Sequence, residues 1–195
     1  MKNSFLAMLF RMKYINRWSL MFNTQQEPLS VHTVEVALVV HFLCNIGNVY
    51  FGKSYDVHKL VTHAIYHDAT EILTGDLPTP IKYYNDEIKK AYKDIETLAA
   101  TKLLSALPEE LMPKYEEYFE GTNLSKDEAT IIKAADKVCA YIKCLKEMNS
   151  SNKEFAGAYN TLKKTVYDFK CEELQYFLEN YIDTFSMSLD ELGHL

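Results

Sequence analysis

The sequence predicts an all-α fold in a single domain. Three observations carry this reading. Apolar residues recur at the 3.6-residue period of helices along most of the chain. No run alternates polar and apolar residues as a half-buried strand does. Chain breakers are sparse, with 6 Gly and 5 Pro in 195 residues, so few turns are specified and long helices are favoured. A chain of this length can bury a sizeable core. No linker, internal repeat or low-complexity tract divides it, so one domain is expected over 1–195.

The elements follow in order. A first helix is expected at about 2–14, with Phe5, Leu9 and Met12 on one stripe. After the loop NTQQEPLS, Ser30 is the expected N-cap of a long apolar helix from Val31 to about Ile46. Gly47 and Gly52 bracket its exit. Asp56 can cap a third helix, which carries Leu60, Val61, Ala64 and Ile65 into His67-Asp68. Gly75, Pro78 and Pro80 then break the chain.

A long helix is expected at about 84–106, with Tyr92, Ile95, Ala99 and Leu103 near one stripe. Pro108 and Pro113 frame a shorter helix or turn. Ser125-Lys-Asp-Glu128 reads as a capping box that opens a helix reaching about Met148. Two further helices fit about 153–168 and 171–183.

Composition narrows the partners. The chain is 48% hydrophobic and 25% charged, an ordinary globular balance, with a net charge of −6. It has no Lys/Arg block, so a polynucleotide partner is not expected, whereas one small anionic substrate needs only an arginine or a metal. Cys44, Cys139, Cys144 and Cys171 show no C-x-x-C spacing and read as reduced thiols. The N-terminal apolar run FLAMLF is short and is followed by Arg11 and Lys13, which fits neither a signal peptide nor a membrane span. The expected location is cytoplasmic, away from any membrane.

The stretch AIYHDATEILTGDLPTP, residues 64–80, is the chemical anomaly of the chain. Core-forming residues there alternate with His67, Asp68, Glu71 and Asp76, and burying such groups costs several kcal/mol each unless they are paired or hold a metal. Two further residues belong with them. His32 falls on the first turn of the second helix, and Asp136 falls on a mostly apolar face with Ala129, Ile132, Cys139 and Ala140. Each has a plainer use alone: a packed or surface histidine, a solvated acid, a lysine-paired aspartate. Together, two imidazoles and two carboxylates suit a divalent first-row metal. Adjacent His67 and Asp68 would point about 100° apart on a regular helix, so both reach one ion only at a distorted or terminal turn. His63 and His67 could also chelate from one helix face, but Ala64 stands where H-E-x-x-H needs its glutamate, and packing or support of a ligand is the favoured use of His63.

The order His32, His67-Asp68, Asp136 matches the H…HD…D pattern of the HD-domain metal-dependent phosphohydrolases. INRWSLM (15–21), SVHTVEVA (30–37), YHDATEILTGDLPTPIKY (66–83), KAADKVCAYIKCLKE (133–147) and SMSLDEL (186–192) narrow the likeness. Over nearly its whole length the chain resembles the bacterial 5′-deoxynucleotidases of that superfamily. The resemblance implies an HD-domain helical bundle with its metal core at about 28–145, and a homodimer. It implies hydrolysis of a deoxyribonucleoside 5′-monophosphate to deoxyribonucleoside and phosphate. It also implies a divalent cation, cobalt or manganese first, with zinc or another first-row metal as further options.

Carried over by position, His32, His67, Asp68 and Asp136 are metal ligands, and His32, Asp68 and Asp136 also touch the substrate. Arg17 and Trp18 contact substrate, Glu71 and Asp76 are the catalytic acids with Arg17 assisting, and Asp76, Leu77, Pro78 and Thr79 line the substrate pocket. Glu35, Lys143 and Glu147 receive no role.

The residue chemistry agrees with these implied roles. On a continuing helix Glu71 would face the same way as Asp68, where a carboxylate can orient or deprotonate a water. Asp76 sits in a Gly-Asp-Leu-Pro corner, which by itself also reads as an Asx-type turn. Either acid could protonate the leaving 5′-oxygen. Arg17 offers a permanent planar cation for phosphate, although a surface charge is the commoner fate of an arginine. Trp18, the only tryptophan, is expected to pack on deoxyribose and leave no room for a 2′-hydroxyl. Two rival activities share the metal core, a cyclic-nucleotide phosphodiesterase and a dNTP triphosphohydrolase. The second is disfavoured because no added basic cluster is evident.

Overall fold

The structure, a computed structural model, describes residues 3–82 and 84–193. Among them there is no β-strand, and a single isolated bridge joins Asn16 to Pro28. The chain is all-α and divides into two compact units. The first comprises residues 3–20, Gln26–Val34 and Ile65–Asn123, and the second Met21–Gln25, Glu35–Ala64 and residues 124–193.

In the first unit, α1 (Phe5–Leu9) tightens into a 3-10 turn over Phe10–Tyr14. Met12 is buried there with Leu29 and Ile72, flanked by Met8, Leu9 and Ile15. The unit also holds α4 (Glu71–Thr74), α5 (Thr79–Lys82), α6 (Asp86–Leu104) and α7 (Met112–Glu120). The Asn85 side chain accepts the Ile88 N–H and so caps α6, and Gly121, at φ 63°, closes α7 in the left-handed region. Tyr92, Ala99 and Leu103 of the expected α6 stripe are buried. Ile95 is not: it is 51% exposed, at the edge of the stripe about 60° round the helix from Tyr92. Phe5, Tyr66 and Tyr115 form an edge-to-face cluster with centroids 5.1 and 5.7 Å apart.

The helix α2 (Leu29–Tyr50) gives its first turns to this unit and the remainder to the second. It begins earlier than expected. The Pro28 carbonyl accepts the N–H groups of Val31 and His32, so Ser30 lies inside the first turn rather than capping it. It also runs through Gly47. A Cβ there would stand 2.6 Å from the Tyr55 ring, so glycine is required by close approach, not by a helix exit. Asn48 holds that segment by accepting the Tyr55 N–H at 2.7 Å and donating to its carbonyl at 3.1 Å. By length and apolar composition α2 could cross a membrane. In the fold it is a core helix, with Val36, Val40, Leu43 and Cys44 fully buried.

The second unit is built on α8 (Lys126–Asn149). Ser125 and Glu128 close the expected capping box at its start. With α3 (Val57–Tyr66), α9 (Ala156–Tyr167) and α10 (Glu172–Asn180), it surrounds a core containing Leu60, Ile131, Val138, Val166, Leu174 and Phe177. A 3-10 turn over Lys153–Phe155 precedes α9, a second over Ile182–Ser186 follows α10, and α11 (Leu189–Leu192) ends the described chain. Asp56 caps α3 through the Lys59 N–H at 3.0 Å, as expected. All four cysteines are buried.

Candidate active site

The first unit gathers most of the flagged side chains. α3 stops at Tyr66, and residues 67–70 form turns before α4 begins at Glu71. This break is the distorted turn that an adjacent His-Asp pair needs. His67 Nε2 lies 3.1 Å from Asp68 Oδ2, and His32 Nε2, from the first turn of α2, lies 3.7 Å from the same oxygen. The break also corrects the expectation that Glu71 faces with Asp68 along one continuous helix. Glu71 instead opens α4, is buried, and donates its backbone N–H to the Asp68 carbonyl at 3.0 Å.

Arg17 reaches the same place, with Nη1 3.4 Å from Asp68 Oδ2 and Nε 3.5 Å from Glu27 Oε1. The pairing of residues 15–17 with 27–29 puts it there: the Arg17 N–H bonds the Glu27 carbonyl and the Leu29 N–H bonds the Ile15 carbonyl. Trp18 follows with φ 58°, a left-handed backbone that costs a non-glycine residue about 1–2 kcal/mol. Its indole N–H donates to Glu27 Oε2 at 2.9 Å. Asp76, after Gly75 at φ 74°, accepts the Trp18 backbone N–H.

The electrostatics are set by carboxylates crowded beside Arg17 and two histidines. Burial, together with Asp68 and Asp76, pushes the Glu71 carboxyl up to about 9. Burial raises Asp76 as well, helped by Asp68 and opposed by Arg17. Asp68 goes the other way: burial works against its charge, but His67, Arg17 and His32 hold it far below the usual carboxylate range. Glu27 is also held low, with His32, Arg17 and Trp18 outweighing its burial.

The donor set fits a divalent cation. The ligand atoms of His32, His67 and Asp68 lie within 4.8 Å of one another, and the 3.1 and 3.7 Å spacings match neighbouring ligands about 2.1 Å from one ion. Asp136 lies midway along α8 in the second unit, half-buried on a helix face with buried Ile132, Cys139 and Ala140. His63 is buried on α3. Leu77 and Pro78 form the corner before α5 and are half-buried; Thr79 starts α5, and its side chain lies outside the described residues.

A cleft of about 650 Å³ opens beside His67, Asp68 and Glu71, a volume in the range of small-molecule sites. Its far walls are α6 and α7, through Lys93, Thr97, Thr101 and Glu116. The expected pocket residues Arg17, Trp18, Asp76, Leu77 and Pro78 are not in its described lining. Sequence reasoning missed these walls and missed Glu27. The wall residues are polar positions on long helices and Glu27 is a loop acid before a proline, none of which the sequence singles out.

The family model described as 5′-deoxynucleotidase YfbR-like matches residues 4–185. The chain belongs to this family. Two relatives in the YfbR-like family show how full the match is. A 5′-deoxynucleotidase of Erwinia tasmaniensis is 45% identical over 189 residues, covering 97% of this chain and 96% of that protein. One of Vibrio vulnificus is 46% identical over 192 residues, covering 98% and 99%. Among solved structures, an HD-domain phosphohydrolase of Listeria innocua superposes with a TM-score of 0.82 at 22% identity, covering 93% of this chain and 88% of that one. A cyanophage S-2L HD phosphohydrolase, DatZ, bound to dA and one catalytic Zn2+ ion, gives 0.64 at 20% identity, covering 91% and 96%. The protein is thus an all-α member of the YfbR-like 5′-deoxynucleotidase family.

Proposed function

We propose that the chain hydrolyses deoxyribonucleoside 5′-monophosphates to deoxyribonucleosides and inorganic phosphate. The observation that carries this is the meeting of His32, His67 and Asp68 with the phosphate-capable Arg17 beside Asp68. His32, His67 and Asp68 would hold the metal, with Asp136 as the fourth ligand of the H…HD…D pattern. When bound, such an ion lowers the pKa of water and offsets phosphate charge.

The remaining chemistry belongs to side chains. Arg17 takes phosphate oxygens with its fixed fork of donors. Of Glu71 and Asp76, one orients the attacking water and accepts its proton, and the other returns a proton to the 5′-oxygen as the P–O5′ bond breaks. Trp18 packs on the deoxyribose and excludes a 2′-hydroxyl. Leu77, Pro78 and Thr79 complete the substrate site outside the cleft walled by α6 and α7, and His32, Asp68 and Asp136 also touch the substrate.

Cobalt or manganese is our first choice of metal. The zinc named with DatZ keeps zinc open as an activator here. We read the chain as one working domain over 1–195, with its metal core at about 28–145. The family match over 4–185 supports this extent. The working form is a cytoplasmic homodimer, and the exposed Leu38 and Val49 on the outer face of α2 offer an apolar contact surface. No polynucleotide or membrane takes part.

Product analysis tests the reaction class. Purified protein should convert dAMP to deoxyadenosine and phosphate, and leave dATP and a cyclic nucleotide intact. Triphosphate released from dATP would instead mark a triphosphohydrolase, and opening of the cyclic nucleotide a phosphodiesterase.

A further inference from the structure

Glu27 is the least expected residue of the site. It is 5% exposed, yet it sits in a polar loop and belongs to no motif. Its carboxylate faces three residues at once. Oε1 lies 3.2 Å from His32 Nδ1 and 3.5 Å from Arg17 Nε, and Oε2 accepts the Trp18 indole N–H at 2.9 Å. Its own carbonyl accepts the Arg17 N–H at 3.0 Å. It therefore touches His32 on the ring edge away from Asp68, and it holds Trp18 by the far end of a side chain whose backbone is in the left-handed region.

Those contacts have two separate chemical effects. A carboxylate beside Nδ1 favours the tautomer that carries its proton there, leaving the Nε2 lone pair toward Asp68 and the other ligands. A carboxylate at the indole N–H fixes the rotation of the Trp18 ring, and a ring free to turn cannot reject a hydroxyl by shape. We propose that Glu27 is a positioning residue that couples metal retention, through His32, to discrimination against ribose, through Trp18. This rests on the 5′-deoxynucleotidase reading above and adds a residue outside the metal-ligand and substrate-contact sets.

Glu27→Gln tests it, because a carboxamide has one acceptor oxygen where the carboxylate has two. It cannot accept from Trp18 and face His32 Nδ1 with a second oxygen. Two quantities are measured on wild type and variant: the Kd for Co2+ alone by calorimetry, and the dCMP-to-CMP ratio of kcat/KM at saturating Co2+. The metal Kd should weaken at least about tenfold, the scale seen when a ligand's supporting partner is removed. The ratio should fall by about tenfold, out of the ~100-fold that a shaped apolar wall gives against an added hydroxyl. A variant that loses only one of these properties, or neither, overturns the coupling. If Glu27→Gln does not fold by circular dichroism, Glu27→Asp, with its carboxylate drawn back one methylene, is judged by the same two criteria. Wild type in the same assays separates the two levels of the account. Wild-type protein inactive on dCMP defeats the parent reading, whereas active wild type with an unaffected variant defeats the role of Glu27 alone.

Discussion

His67 Nε2 and Asp68 Oδ2 stand 3.1 Å apart although the two residues are sequence neighbours. On a regular helix their side chains would diverge by about 100°. The end of α3 at Tyr66, followed by four turn residues, is what turns both toward one point. On the proposed ligand assignment, removing His67 or Asp136 should cost metal without costing fold. His67→Ala and Asp136→Ala are expected to retain wild-type helical circular dichroism, to lose bound metal by elemental analysis, and to lose nearly all activity. Full metal occupancy with normal turnover in both variants would sink the ligand assignment.

Trp18→Ala should leave phosphate binding largely intact, because Arg17 is held separately by Asp68 and Glu27. Its expected effect is a lower dCMP-to-CMP ratio of kcat/KM, by up to ~100-fold if the ring supplies the whole discrimination. Steady-state kinetics on the two nucleotides checks this, and an unchanged ratio removes Trp18 from sugar recognition.

Glu71→Gln and Asp76→Asn separate chemistry from binding. Each is expected to lower kcat by about 10²–10⁴-fold, the usual worth of a positioned acid or base. The metal Kd should stay within a few-fold of wild type, since neither belongs to the ligand set. Calorimetry and turnover on the same preparations decide it. A large loss of metal affinity would make these residues ligands rather than catalytic acids.

The second unit carries a pH-sensitive brace. Glu147 is 1% exposed on α8 and accepts from Lys143, Asn152, the Thr24 hydroxyl and the Thr24 N–H. Burial alone would raise its pKa, but Asn152, Lys143 and Thr24 bring it down from 4.5 to about 2. A carboxyl depressed in the folded state stabilises it above the unfolded value and loses that contribution as pH falls through the folded one. The loss should therefore run from about pH 5 down to 2 and amount to about 3 kcal/mol. Urea denaturation across that range should show wild-type stability falling more steeply than that of Glu147→Gln, and parallel curves would show that Glu147 contributes nothing.

Sequence and structure diverge where burial depends on distant segments. His32, His67 and Asp68, which the structure brings together, were legible because histidines and acids in apolar helical segments are chemically costly wherever the chain goes. The capping box at Ser125 was legible because it is purely local. Glu27 was not, because its burial comes from the pairing of residues 15–17 with 27–29, which no helical period announces. Lys143 and Glu147 receive no role from the sequence. They are buried because residues 22–25 lie over them, with the Gln25 carbonyl accepting from Lys143 and the Phe22 carbonyl from Asn152. The Lys93, Thr97 and Glu116 walls of the cleft were hidden for the opposite reason, since polar helix positions look the same whether they face bulk water or a site.

The central claim is a metal-dependent phosphomonoesterase that reads the sugar. Its most direct test is phosphate release from matched deoxy- and ribonucleoside 5′-monophosphates, after chelation and after re-addition of Co2+, Mn2+ or Zn2+ singly. The account predicts no release after chelation, recovery with at least one of these ions, and a kcat/KM for the deoxy substrates well above that for the ribo substrates. Equal turnover of both sugars, or full activity in the chelated protein, would contradict it.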